Sequence, residues 1–342
     1  MAEIVLGIAT SHGPMLNTPP DQWGQRAKAD ERNKELIYKG VPYDFETLKA
    51  LRGGGSAFTS EITQDVWNAR HAACRAAITS LGDIIRASDV DVLVVVSSDH
   101  KEIFGDELLP QFAIYWGDDA LHVPYTEEQL AGMPPGLAIA EVANQPTTTL
   151  TRTMNSELAL HLIKETSELG FDPAASRELP AGEWGSHSIP HGWGFIYQQV
   201  LDGSGEIPFV PIFVNTFWEP NPPSASRSYD FGVALGAAIR SFPEDIKVGV
   251  VASGGLSHMV VDEELDRPFL DALVNRDEAH MRSLQSDWLR SGTSELRNWI
   301  VTAAALGESD LQARVIDYQP CYRSEAGTGC AMGFVAWDGP RA

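Results

Sequence analysis

The chain has 342 residues, 43% hydrophobic and 21% charged, the balance of a globular protein with a sizeable core and not of a disordered tail. Its 25 Lys and Arg stand against 47 Asp and Glu, a formal charge of −22 with no basic run, so nothing here could replace the counterions of a polyanion and nucleic acid is excluded as a partner. No stretch approaches the ~18 consecutive apolar residues that span a bilayer, so no membrane segment is expected.

The opening, Met1 to Gly7, lacks a basic stretch and a long apolar core, so it reads as a first strand and sets a cytoplasmic expectation. Short runs rich in Val, Ile, Leu or Phe, bounded by Gly, Pro, Ser, Asp or Asn, predict buried strands at 4–9, 90–96, 112–116, 209–214 and 247–252. Residues 13–65 break this rhythm with Pro14, Pro19, Pro20 and the run Gly53, Gly54, Gly55. They read as an insertion with short helices at 22–36 and 44–51, serving as a lid or interface element. Apolar residues at three and four spacing predict helices at 66–85, 156–169, 229–239, 263–289 and 295–305. Strands alternating with helices imply an α/β protein: one domain over 1–342, with a central mixed or mostly parallel sheet flanked by helices and the site at the carboxyl ends of the strands. Cys74, Cys321 and Cys330 form no CxxC pair and are expected to be buried structural thiols.

Three of the predicted strands run into a histidine. The first leads to Ser11, His12 and Gly13, the second to Ser98, Asp99 and His100, and the run at 247–252 leads through Gly254 and Gly255 to His258. A lone histidine after a strand is ordinarily a loop or capping residue. Three on one rim of a sheet point instead to a metal or acid–base site, because packing gains little from several imidazoles and crowded imidazoliums repel. The segment 183–195 adds His187 and His191 among Gly and Trp, with an aromatic plug and one solvated histidine as the alternative, whereas His71, His122, His161 and His280 fall in structural settings. A two-His site for an open divalent ion needs a carboxylate as third ligand. Glu295 follows the helix-start pattern Ser291, Gly292, Thr293, Ser294, which would hold a first-turn carboxylate firmly; a Glu favoured only by the helix dipole is the competing reading.

Taken in order, Ser11-His12-Gly13-Pro14, Ser98-Asp99-His100, Gly254-Gly255-Leu256-Ser257-His258 and Ser294-Glu295-Leu296-Arg297-Asn298-Trp299 resemble the type III extradiol ring-cleaving dioxygenases, the superfamily of the protocatechuate 4,5-dioxygenase β subunit. The likeness runs from residue 1 to about 335, and residues 1–16, 43–52 and 320–324 are most similar to the 3-O-methylgallate and gallate branch. The resemblance implies a non-haem Fe(II) held by His12, His100 and Glu295, with His258 as the catalytic base. It implies His191 as second catalytic histidine, with His187 still in play, since Pro190 stands where the family has an Asp and an orienting carboxylate is lost. The implied activity is cleavage of a catecholic aromatic acid of the protocatechuate, gallate or 3-O-methylgallate type by O₂, with both oxygen atoms incorporated. Tyr322, Arg323, Ser324 and Thr328 are then candidates to anchor the substrate carboxylate, and a homodimer with the insertion over the site is expected. A charge of −22 opposes an anionic substrate, so the metal and Arg323 would have to reverse the field locally. Two other readings stay open: a zinc-dependent hydrolase on a related α/β scaffold, and a binding relative that has lost catalysis.

Overall fold

Six consecutive buried residues, Val92–Ser97, carry no polar alternation, the pattern of a strand covered on both faces. In the computed structural model, which describes residues 1–133, 137–182 and 187–340, this segment is a central strand of a nine-stranded sheet. Its strands are β1 (Glu3–Thr10), β2 (Val92–Ser97), β3 (Phe112–Tyr115), β4 (Ala174–Ser176), β5 (Phe209–Val214), β6 (Lys247–Ser253), β7 (His258–Val260), β8 (Leu311–Tyr322) and β9 (Thr328–Pro340). They lie in the order β7-β9-β1-β6-β2-β5-β3-β4, with β8 paired to β9. β1, β6, β2 and β5 are mutually parallel. β3 is antiparallel to β5, and β9 is antiparallel to β1, β7 and β8, so the sheet is mixed.

The period of two along each strand divides the core between two helical layers. Leu6, Ile8, Leu93, Val95 and Val251 face Cys74, Ile78, Leu81 and Ile85 of the long helix Gln64–Ala87. That helix is opened by Thr63, whose hydroxyl accepts the Val66 N–H. On the other face Val92, Val94, Val96, Val250 and Ile212 meet Phe231 and Leu235 of helix Ala225–Ser241 and Trp299 and Ile300 of helix Leu296–Ala305. The chain is thus a single α/β domain with helices on both sides of a mixed sheet. All three cysteines are free and buried. No helix among the described residues is long and apolar enough to cross a membrane.

Two local expectations are corrected. The predicted helix at 22–36 stops early: helix α1 covers Trp23–Asp30, and Leu36–Tyr38 pairs with Val41–Tyr43 as a hairpin. Its turn residues Lys39 and Gly40 take φ of 51° and 80°, the double left-handed turn that suits the twist of a two-residue hairpin. The predicted helix at 263–289 breaks at Arg276, φ 53°, leaving α2 (Glu263–Asn275) and a short helix Glu278–Ser283. Arg276 holds that break by donating to the carbonyls of Gly307 and Ser309. Of the histidine-bearing segment at 183–195, Glu183, Trp184, Gly185 and Ser186 lie outside the described residues.

Candidate active site

The strand order explains why the three histidines converge. β1, β6 and β2 are neighbours in register, Thr10 beside Ser253 and Ala252 beside Val96, so their carboxyl ends stop together. His12 follows β1, His100 follows β2, and the Gly254 to Ser257 turn after β6 leads to His258 at the start of β7. The approach of His100 is strained: His100 and Lys101 both sit in the left-handed region, φ 48° and 67°, at roughly 1 kcal/mol or more each for residues with a Cβ. Asp99 holds the loop in that shape, its buried carboxylate accepting the Ile103 and Phe104 N–H groups at 3.1 and 2.9 Å.

Glu295 closes the single turn Ser291–Glu295 ahead of helix Leu296–Ala305 and is 1% exposed. Its Oε1 lies 2.8 Å from His100 Nε2 and 3.2 Å from His12 Nε2, and accepts the Ser98 hydroxyl at 3.2 Å. Its Oε2 accepts the Gly255 N–H at 2.5 Å and faces His258 Nε2 at 3.6 Å. Burial alone would push this carboxyl up, but His12, His100 and His258 outweigh it and hold the group ionised, well below the usual carboxylate range.

The ring tautomers follow from their partners. Ser253 donates its only hydroxyl proton to the Gly192 carbonyl at 2.7 Å, so at His12 Nδ1, 2.9 Å away, it accepts. His12 therefore carries its proton on Nδ1, and burial keeps the ring neutral by lowering its pKa. His258 Nδ1 lies 2.8 Å from the Leu256 carbonyl, which can only accept, so that nitrogen carries a proton and Nε2 is the atom turned towards Glu295. The His258 ring sits between Gly255 and Gly292, where a Cβ at either position would overlap it. The bare His12 Nε2 thus faces an ionised carboxylate. Acceptor against acceptor is unfavourable alone and is resolved by a cation between them, and a nitrogen–oxygen donor set of this kind suits a first-row divalent metal.

His191 opens a short helix, His191–Phe195, with its ring 4.8 Å edge-on from His12 and 5.5 Å stacked on His100. Ligand atoms of His12, His191 and Glu295 also lie within 4.8 Å of one another. His191 nevertheless differs in charge. Burial would lower its pKa, but Glu102, Glu141 and Glu295 together raise it to about 10, so it is an imidazolium with no lone pair to offer a metal. Glu102 accepts the His191 backbone N–H at 2.8 Å and makes a very short contact with the ring Nδ1. The orienting carboxylate that Pro190 cannot provide comes from the loop after β2. His187 stands elsewhere: it is exposed, and its Nδ1 donates to the Leu179 carbonyl at 2.8 Å.

A cavity of about 460 Å³ opens on this cluster. Tyr125, Met133, Leu137, Glu141 and Met259 line its walls, and Arg26, Asp30, Asn33 and Arg323 contribute to its lining as well. Arg323, 2% exposed, donates from Nε and Nη2 to the two Asp30 oxygens at 2.7 and 2.8 Å. Thr328 donates to Asp30 at 2.6 Å and is itself bonded to Ser324. Of the four expected carboxylate contacts, Arg323 lines the cavity, Ser324 and Thr328 brace its counter-ion, and Tyr322 turns away to donate to Glu263 at 2.8 Å. Glu102, Asp30, Arg26 and Ser253 escaped the sequence reading. Arg26 and Asp30 are four apart on α1, a spacing that puts both on one face; Glu102 carries no comparable signal.

A family model described as the catalytic LigB subunit of aromatic ring-opening dioxygenase matches residues 60–329. Gallate dioxygenase of Pseudomonas putida strain KT2440 is 36% identical over 164 residues, 44% of this chain and 46% of that protein. The 2,3-dihydroxyphenylpropionate/2,3-dihydroxicinnamic acid 1,2-dioxygenase of Rhodococcus jostii strain RHA1 is 27% identical over 168 residues, 49% of this chain and 43% of that protein. The Mycobacterium ulcerans strain Agy99 protein of the same description is 25% identical over 242 residues, 69% of this chain and 64% of that protein. The chain thus spans less than two thirds of the length of each of these relatives.

Proposed function

The chain belongs to the family of the catalytic LigB subunit of aromatic ring-opening dioxygenase, and from that premise we propose that it is an Fe(II)-dependent extradiol dioxygenase acting on a catecholic aromatic acid. The observation that carries this reading is a facing pair of acceptors: the bare His12 Nε2 aimed at a buried, ionised Glu295. His12, His100 and Glu295 would hold the ion; His191, as an imidazolium, would not. When bound, Fe(II) supplies a Lewis acid for the two ring hydroxyls and a path for electron density from ring to O₂.

The protein's own groups supply the proton transfers. His258, with Nδ1–H fixed on the Leu256 carbonyl, presents Nε2 as the base for a phenolic proton. His191, charged and oriented by Glu102, is the acid that protonates oxygen as the O–O bond breaks. Arg323, braced by Asp30, is a positive anchor on the cavity wall, and α1 of the 13–65 segment brings Arg26 and Asp30 to that wall. This supports reading the segment as part of the site. The substrate would be of the protocatechuate, gallate or 3-O-methylgallate type.

The test is an oxygen electrode. Anaerobically prepared, Fe(II)-loaded protein should consume one O₂ per ring opened on at least one of these acids. A protein that purifies with zinc, and takes up no O₂ with any catechol after iron loading, would overturn the proposal in favour of the hydrolase reading.

A further inference from the structure

Asp266 is fully buried on α2, eight residues beyond His258, and takes no part in the chemistry just described. Its carboxylate accepts three hydrogen bonds: the Ser257 N–H at 2.9 Å, the Ser257 hydroxyl at 2.6 Å and the Tyr318 hydroxyl at 2.9 Å. The Ser257 hydroxyl in turn accepts the Asp262 N–H at 2.7 Å, which ties the turn to the start of α2. Burying a carboxylate here would be costly if it served packing alone.

The Ser257 N–H belongs to the same peptide group as the Leu256 carbonyl. In a trans peptide the two point in opposite directions. Asp266 therefore grips one end of a peptide whose other end, Leu256 O, receives the Nδ1–H of His258 at 2.8 Å. A negative charge at the N–H end polarises the peptide and strengthens its carbonyl as an acceptor.

We propose that Asp266 is a positioning residue for His258, acting through the Leu256–Ser257 peptide group to fix the ring's orientation and to keep its proton on Nδ1. The role rests on the reading of His258 as the base, and it makes that base depend on a carboxylate with no access to substrate. Burial raises the Asp266 pKa to about 7 against the three hydrogen bonds that lower it, so the clamp titrates near neutrality. The groups facing it are Asp262 and Glu263 at the start of α2, Arg267 above the Tyr318 ring, and Tyr318 and Tyr322 from β8.

The experiment combines kinetics with a reading of the ring itself. In metal-free protein carrying ¹⁵N-histidine, the His258 signal, assigned by its loss in His258→Asn, should report the Nδ1–H tautomer. Asp266→Asn should shift it towards a mixture of tautomers. In the iron-loaded enzyme Asp266→Asn should lose roughly tenfold or more in kcat, with KM and bound iron unchanged, and should lack the acidic limb of kcat that Asp266 imposes. Tyr318→Phe removes one bond to the ionised form, so that limb should move to higher pH; this variant decides the matter if Asp266→Asn does not fold. A wild-type tautomer and an unmoved acidic limb in the folded variants would overturn the proposal. Absence of O₂ uptake by the wild type would sink the dioxygenase reading instead, and the tautomer measurement would still judge Asp266.

Discussion

Glu102 and His191 lie 89 residues apart and are joined at two points, the Glu102 carboxylate taking both the backbone N–H and the ring Nδ1–H of His191. The same loop carries His100, so one short segment after β2 delivers a proposed metal ligand and the carboxylate that sets the charge of the proposed acid. Glu102→Gln keeps the shape and removes the charge. We expect kcat to fall roughly 10- to 100-fold with iron content unchanged, measured by O₂ uptake and metal analysis on the same preparation. Unaltered turnover would show that His191 needs no carboxylate.

The proposed metal ligands and the proposed base separate by a different measurement. His12→Ala should lose bound iron, since a divalent ion held by three protein groups tolerates the loss of one poorly. His258→Ala should keep near-normal iron and lose turnover. Iron content decides: retention by His12→Ala removes it from the ligand set.

At the Asp30–Arg323 pair, Asp30→Asn leaves a guanidinium buried without its counter-charge. A loss of about 3–5 kcal/mol in unfolding free energy is expected. Arg323→Met should raise KM for aromatic acids about tenfold or more, about 1.4 kcal/mol, and leave catechols without a carboxylate unaffected. The double change Asp30→Leu with Arg323→Met should regain most of the stability while keeping the selectivity defect. Equal KM changes for both substrate classes would exclude Arg323 as the anchor.

His122 gives a pH dependence of stability. It is fully buried, its Nε2 donates to the Asn144 carbonyl at 3.0 Å, and Arg152 stands at its Nδ1. Burial first, then Arg152, pushes its pKa from 6.5 to about 4. The folded state therefore favours the neutral ring: the stabilisation is present above pH ~6.5 and lost as pH falls towards ~4, about 3 kcal/mol in all. Urea unfolding of wild type and His122→Phe at pH 7 and 4.5 measures it. The wild type should lose more stability between the two than the variant does.

A net charge of −22 opposes the approach of the proposed aromatic acid to Arg323. Added monovalent salt should therefore raise kcat/KM for acids at low ionic strength and leave neutral catechols flat. A fall with salt for the acids would mean that the approach route is locally positive.

What the sequence disclosed follows from how each feature is encoded. β1, β2, β5 and β6 are legible because parallel strands buried on both faces are continuous apolar runs. The ends of three of them carry His12, His100 and His258, so that part of the cluster was legible too. β8 left no such run, since it mixes apolar with polar residues and is half-buried along much of its length. Glu102, Asp30 and Asp266 were hidden for another reason. Each is one acid among 47, and what marks it is a partner brought near by the fold: Arg323, for instance, is 293 residues from Asp30.

β9 ties together strands that carry the site. It pairs with β1 through 334–337, with β7 through 328–330 and with β8 along its length, and Cys330 is the register partner of His258. Among the described residues β7 has no other neighbour in the sheet. During synthesis His12, His100 and Glu295 all leave the ribosome before the strand on which His258 must rest. A chain halted short of Thr328 would carry His12, His100 and Glu295 but no partner strand for His258, so the proposed base is seated only once β9 is in place.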